Sequence, residues 1–449
     1  MACTRYAVSR RIMATLSGRT RFRYSLGSFV TGSFGTVPGL VLVKYLTDTM
    51  AVPAGWAAAI VFVPKAWDVL FNPIAGRMSD ADLIKTGSRR RFLLIGGIGV
   101  AILFAAMFAH PGFGGPLPDA LYVAITFALC ATAYALFQVP FNALPAELTE
   151  SATERTKLTS VRIGVLAVTI LICGGGAPAI TAGIEGVAGY RIMAVVIGLI
   201  VLVATLLVYF GLKDAPVGSL RPNTVNLKEL VRTLAAWRPF RWLLGTYFIQ
   251  ALGIGTVLAA IPFFAQRILG NDAYGTILFV IFVGPALITM PLWPRLGDRV
   301  GKLNGFRLAT AAFAIGLLGL VFAQEIPLVV SFVFVALCGV GYAGISVFPL
   351  AILPDLITAE EERTGETRAG IAAGVWTAGE TLGLAFGGGL WALILAFGGY
   401  VSSTDATAAQ PHSAIVAILV GASIVPGVLI ALALPLLRRK VLEPRREPV

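Results

Sequence analysis

Long, continuous apolar runs separated by short polar segments recur along the whole chain, without the polar–apolar alternation of barrel strands. A helix needs about 20 apolar residues to cross a hydrocarbon core, and it satisfies its own backbone groups where water is absent. The pattern predicts twelve transmembrane helices near residues 24–46, 54–78, 92–110, 119–143, 160–182, 190–212, 241–266, 274–294, 307–323, 327–350, 370–396 and 412–437. The expected fold class is an all-α membrane protein whose helices form two pseudo-symmetric six-helix bundles.

The longest polar stretch, with Pro216, Pro222 and Asn223, divides the chain near its middle. The organisation expected is an N-terminal tail at 1–23, a first bundle at 24–212, a linker at 213–240, a second bundle at 241–437 and a C-terminal tail at 438–449. Motifs echo between the halves. Pro73, Gly76 and Asp80 with Arg89 to Arg91 correspond to Pro291, Pro294 and Asp298 with Arg299, Lys302 and Arg307. Pro145, Glu147 and Glu154-Arg155-Thr156 find a counterpart in Pro354, Asp355 and Glu362-Arg363-Thr364. Two echoes at a similar displacement indicate duplicated halves. Asp80, Arg89, Glu147, Arg155, Asp298, Arg299, Asp355 and Arg363 are therefore candidate gating residues, acids and bases able to pair across the halves when the inner side closes. The plain alternative is a solvated role in setting topology.

Composition agrees with the bilayer. With 57% hydrophobic and only 13% charged residues, the chain cannot furnish polar exteriors for several soluble domains. The net charge of +12 gathers in short segments between apolar runs, as at Lys85 with Arg89 to Arg91 or at Arg438, Arg439 and Lys440. That is the positive-inside pattern, and it argues against nucleic acid as a partner. It places both termini in the cytoplasm and the chain in the inner (plasma) membrane, with Arg191 and Arg267 as the main outer exceptions. The Arg-rich first 23 residues lack a sustained apolar core and read as a cytoplasmic tail, not a cleaved signal. Cys3, Cys130, Cys173 and Cys338 are scattered, so neither metal nor disulfide roles are expected. His110 and His412 fall at outer helix ends, outside any intramembrane proton relay, and no Walker A sequence or hydrolase triad is present. No enzymatic activity and no cofactor is expected beyond a coupling H+ or Na+.

Ionisable residues inside a bilayer are costly and so are functional candidates. Lys65 and Asp68 share a face of helix two, with Asn72 one turn further on. Asp68 offers an anionic oxygen to a proton or Na+ and Asn72 a neutral one, unless Lys65 and Asp68 simply neutralise each other. Glu380 in helix eleven, beside Thr381, is a second candidate acid, or else a carboxyl satisfied by its neighbours. Arg162 opens helix five. Tyr45, Trp67, Tyr134, Gln138, Asn142, Tyr247, Gln250, Tyr342 and Trp376 offer stacking faces and amides suited to a hydroxyl-rich ligand, or serve packing and the interfacial belt. The glycine clusters at 174–176 and 387–389 allow close helix approach.

The run Lys65-Ala-Trp-Asp-Val-Leu-Phe-Asn-Pro-Ile-Ala-Gly76, followed by Asp80 and Arg89 to Arg91, resembles the helix-two signature of the glycoside-pentoside-hexuronide:cation symporters. These form the melibiose permease-like branch of the major facilitator superfamily. Tyr45-Leu-Thr-Asp48, Val139-Pro-Phe-Asn-Ala-Leu144 through Glu154 to Arg162, and Leu353-Pro-Asp355 through Arg363 to Trp376-Thr377 agree in order. The resemblance implies the major facilitator fold, a central cavity and solute uptake driven by Na+, H+ or Li+, with the cation held mainly by two helix-two acids. One matches Asp68; the other is Asn72 here. An acid expected in helix one stands as Gly32, a helix-four acid as Gln138 and a helix-eleven lysine as Thr381. These losses weaken a Na+ site, because hard cations favour several oxygens, and they favour proton coupling or uncoupled transport.

The expected function is cation-coupled symport of a sugar or sugar-like solute by alternating access, in a monomer surrounded by membrane lipids. Cation coupling falls to Asp68, Asn72, Glu380 and Thr381, and substrate binding to Lys65, Gln138, Asn142, Arg162 and Trp376. The alternative on the same fold is an exporter or flippase for a lysolipid or drug-like amphipath, since lysolipid transporters share this branch and fold does not fix substrate. A non-transporting membrane receptor is the third possibility.

Overall fold

The computed structural model describes residues 16–149, 151–184, 186–213, 237–364, 369–405, 408–438 and 442. Most of the expected linker at 213–240 and of both tails lies outside them. The described residues are almost entirely helical and contain no strand.

Among the described residues, eleven helices are long and apolar enough to cross a membrane, or twelve when a bent pair is taken as one span. In chain order they are α1 (Gly18–Thr49), α2 (Ala54–Thr86), α3 (Arg90–Phe108), α4 (Pro116–Leu148), α5 (Ala152–Gly183), α6 (Gly186–Gly211), α7 (Arg238–Ile268), α8 (Tyr274–Thr289 and Leu292–Val300), α9 (Lys302–Phe322), α10 (Leu328–Thr364), α11 (Ala369–Phe397) and α12 (His412–Leu436). The predicted spans all recur, mostly extended by several polar residues at their ends. Those ends stay helical because side chains cap them: the Ser17 hydroxyl accepts from the Thr20 amide before α1, and the Ser151 hydroxyl accepts from the Glu154 amide before α5. The two pieces of α8 meet at 55°. Pro291 sits at that break, where a residue without an amide hydrogen interrupts the helical ladder at least cost.

Large apolar side chains such as Leu70, Ile102, Phe210 and Val329 are mostly exposed along the helix flanks, which suits a hydrocarbon solvent and not water. Glycine lets backbones close in: a Cβ at Gly387 of α11 would lie 2.2 Å from the Leu252 carbonyl oxygen of α7. Of the two glycine clusters, the one at 387–389 thus includes a close contact, while Gly176 has nothing within 4 Å of a Cβ.

The chain forms two compact units, one of Met1–Pro38 with Val63–Asn223 and one of Gly39–Phe62 with Thr224–Val449. The C-terminal end of α1 and the start of α2 therefore belong to the second unit. In the first unit α3 packs on α4 and α6; in the second, α9 packs on α10 and α12, the same pairs six helices later. The N-terminal end of α1 packs on α5 as α7 packs on α11. A further echo, invisible in the sequence pattern, is a widened π-helical last turn at Tyr45–Thr49 of α1 and again at Phe264–Ile268 of α7. The two arginines expected as exceptions to the charge rule are held by carbonyls: Arg191 donates to the His110 oxygen at 2.7 Å and Arg267 to the Ala408 oxygen at 3.4 Å.

Candidate functional site

In the first unit, α2 places Lys65, Asp68 and Asn72 on one face. Asp68 is 1% exposed, and its Oδ1, like the Oδ1 of Asn72, is buried without a hydrogen-bond partner. Lys65 does not pair directly with Asp68. Its ammonium lies 4.0 Å from the centre of the Phe34 ring of α1, with Tyr134 and Phe127 of α4 at 5.7 and 5.9 Å. All three rings are buried, and Phe34 stacks on Tyr134.

Near its N-terminal end, α5 carries Arg162. Its guanidinium donates to Asn142 Oδ1 at 2.6 Å and to the Tyr24 hydroxyl at 3.2 Å, and it lies 4.6 Å from the centre of the Phe141 ring. Tyr24 stacks on Phe141 and donates to its carbonyl oxygen at 3.2 Å, while the Ser28 hydroxyl holds the Arg162 carbonyl. Every side-chain partner of this cation is neutral, and Arg162 itself is half-buried. Gln138, one turn before Asn142 on α4, is also half-buried. A Cβ at Gly32 would come within 2.8 Å of the Thr169 methyl, so the close approach of α1 and α5 leaves no room for an acid there.

In the second unit the Tyr247 hydroxyl of α7 donates to Glu380 Oε1 at 2.8 Å, and Trp376 stacks on Tyr247 with ring centres 4.6 Å apart. Thr381 follows Glu380, half-buried. Gln250 is fully buried and donates to Thr310 at 3.0 Å, which makes it a packing amide, and Tyr342 packs on Phe282. Tyr45 is fully buried, and Trp67 is 43% exposed, donating to Thr132 at 3.0 Å.

Where α2 ends and α3 begins, Arg89 binds Asp80 at 2.5 Å, Glu147 at 2.6 Å and the Ser79 hydroxyl at 2.6 Å, joining α2, α3 and α4 within one unit. Arg155 donates to the Thr149 carbonyl at 2.8 Å. In the second unit Asp355 takes Lys302 at 2.5 Å and Arg363 takes Glu360 at 2.7 Å, while Asp298 and Arg299 are exposed on the short piece of α8.

Sequence reasoning missed the ring box around Lys65, the Tyr24–Phe141 shelf under Arg162 and a polar cluster in the second unit around the C-terminal end of α1. There Lys44 pairs with Asp272, which also accepts from Gln266 at 3.2 Å, and Asp48 accepts from Tyr400 at 2.8 Å and Thr47 at 2.7 Å. The partners stand up to 352 residues apart, beyond any spacing rule.

Twelve spans in two repeated units, with ionisable side chains held in mid-helix, define a multi-pass membrane transporter and not an enzyme. The chain belongs to the family described as MFS/sugar transport protein, whose model matches residues 23–443. It is 24% identical over 432 residues to the Bacillus subtilis (strain 168) protein named "Uncharacterized symporter YjmB", covering 93% of this chain and 91% of that one. It is also 24% identical over 394 residues to the "Glucuronide carrier protein homolog" of Escherichia coli (strain K12), covering 86% and 85%. Its fold is similar to that in the "Crystal structure of D-xylose-proton symporter", with a TM-score of 0.69 at 15% identity over 96% of this chain and 99% of that one.

Proposed function

We propose that this transporter is a symporter of a sugar or sugar-like solute, driven by a cation gradient and working by alternating access in the plasma (inner) membrane with both termini cytoplasmic. The observation that carries the reading is Asp68, a carboxylate buried at mid-helix with an unpartnered oxygen. An unpartnered carboxylate oxygen in such a setting is a ready acceptor for a proton or a metal cation. Asn72 adds a neutral oxygen one turn away, and Glu380 with Thr381 is the corresponding candidate in the second unit.

The solute site draws on Arg162, Asn142, Gln138 and Trp376. An arginine held only by neutral partners keeps its charge available, and its planar fork suits a carboxylate or a pair of vicinal hydroxyls. A relative named for glucuronide transport supports an acidic sugar as the first solute to try.

The test is uptake into proteoliposomes of labelled glucuronate, a methyl glucuronide, a neutral methyl galactoside and a lysolipid, under imposed pH or Na+ gradients. Concentrative uptake of a sugar probe is expected. Movement of the lysolipid alone would replace this reading with that of an amphipath transporter.

A further inference from the structure

The position of the Lys65 side chain is not that of a direct salt bridge and needs its own explanation. A lysine three residues before a buried aspartate has the reach to form a salt bridge with it on the same helix face. Here the ammonium is held away from that carboxylate, against the face of Phe34 at 4.0 Å, with Phe127 and Tyr134 completing the box. Phe127 and Tyr134 are seven residues apart on α4 and so present the same face, and Phe34 comes from α1. Two helices of one unit thus build a seat from ring faces for the ammonium that α2 supplies, and ring faces attract an ammonium without chelating it. Beyond Lys65 on the same helix face lie two buried oxygens, Asp68 Oδ1 and Asn72 Oδ1, with no partner for either.

We infer that Lys65 is a built-in counter-cation: its caged ammonium supplies the positive charge that the Asp68 and Asn72 oxygens would otherwise draw from Na+, so the site rejects Na+ and leaves the proton as the coupling ion. The physical logic is charge balance. One carboxylate can be matched by one cation in a low-dielectric interior, and a tethered ammonium already fills that count. A Na+ entering beside it brings a second positive charge and finds two side-chain oxygens where a hard cation prefers several. A proton adds the same single charge but needs one oxygen and no coordination shell, and the ammonium left without its anion stays held by the ring faces. Held off Asp68 by the rings, the ammonium also leaves the carboxylate free to take and release that proton; a tight salt bridge would lock it.

The inference rests on the coupling role proposed for Asp68, and its test needs no solute, so it can fail while the transport reading stands. Thermal unfolding of the purified full-length chain is followed in NaCl and in choline chloride at equal ionic strength. The wild type is expected to unfold at the same temperature in both salts. Lys65→Met, which fills the box with an uncharged stem, and Lys65→Gln are expected to gain a saturable stabilisation specific to Na+. Adding Asp68→Asn to either variant abolishes the gain, and Lys65→Arg stays indifferent to Na+. Saturable Na+ stabilisation of the wild type that is lost in Asp68→Asn would overturn the inference, as would stable Lys65→Met and Lys65→Gln proteins with no Na+ response. Variants recoverable only in NaCl count as the expected Na+ rescue. If both uncharged variants unfold in either salt while Lys65→Arg is stable, the ammonium is structural and the inference falls.

Discussion

Arg89 provides the sharpest stability test, because its three links differ in exposure. Arg89 is 8% exposed and Glu147 17%, a setting in which a charged hydrogen bond contributes about 1.5–3 kcal/mol. Asp80 is 41% exposed, so solvent screening reduces its link to about 0.2–1 kcal/mol. Ser79 is fully buried and contributes an ordinary bond of about 1 kcal/mol. Arg89→Ala removes all three and is expected to cost on the order of 3–5 kcal/mol. Glu147→Gln should cost about 1.5–3 kcal/mol and Asp80→Asn less than about 1 kcal/mol. Unfolding by SDS titration in mixed micelles, with helicity as the signal, gives the three values on one scale. Asp80→Asn as damaging as Arg89→Ala would refute the argument from exposure, and so would an Arg89→Ala protein as stable as wild type.

Arg162→Gln leaves only neutral groups behind, so folding should change by about 1 kcal/mol, while an acidic sugar loses about 10- to 100-fold in apparent affinity. Comparing KM for glucuronate with KM for a neutral galactoside separates a lost charge contact from general damage, which would raise both. In the cluster around the C-terminal end of α1, burial first and the neighbouring Asp48 second push the Tyr400 phenol above its usual value, despite the opposing Arg267. A raised folded value means that the Tyr400 contribution is fully present below about pH 10, the unfolded phenol value, and lost as pH climbs past the folded one. Tyr400→Phe should therefore cost about 1 kcal/mol at neutral pH and flatten the alkaline arm of the stability curve; an unchanged arm would count against that assignment.

The architecture was legible because a bilayer imposes a simple rule: each apolar run of sufficient length is one helix. All twelve predicted spans recur, and the duplicated loop motifs lead to helix pairs that repeat six helices apart. The break in α8 was only half legible, since Pro291 stood in plain view but no residue pattern sets the 55° angle. The site was harder to read. Lys65, Asp68 and Asn72 announce themselves as polar residues on one apolar helix, yet the rings that receive Lys65 lie about 30 and 60 to 70 residues away on helices whose facing directions the period alone does not set. Arg162 was found by its charge, whereas Tyr24 and Phe141 beneath it look like ordinary span residues. The cluster around Asp48 and Tyr400 escaped for the same reason: ion pairs between distant helices leave no periodic trace.

The most direct test of the central claim compares Asp68→Asn with wild type in one set of proteoliposomes, measuring gradient-driven accumulation and solute exchange at zero gradient side by side. The account predicts that the variant still exchanges the solute but no longer concentrates it, because the carboxylate that links cation to solute is gone. Accumulation at the wild-type level in Asp68→Asn would contradict it.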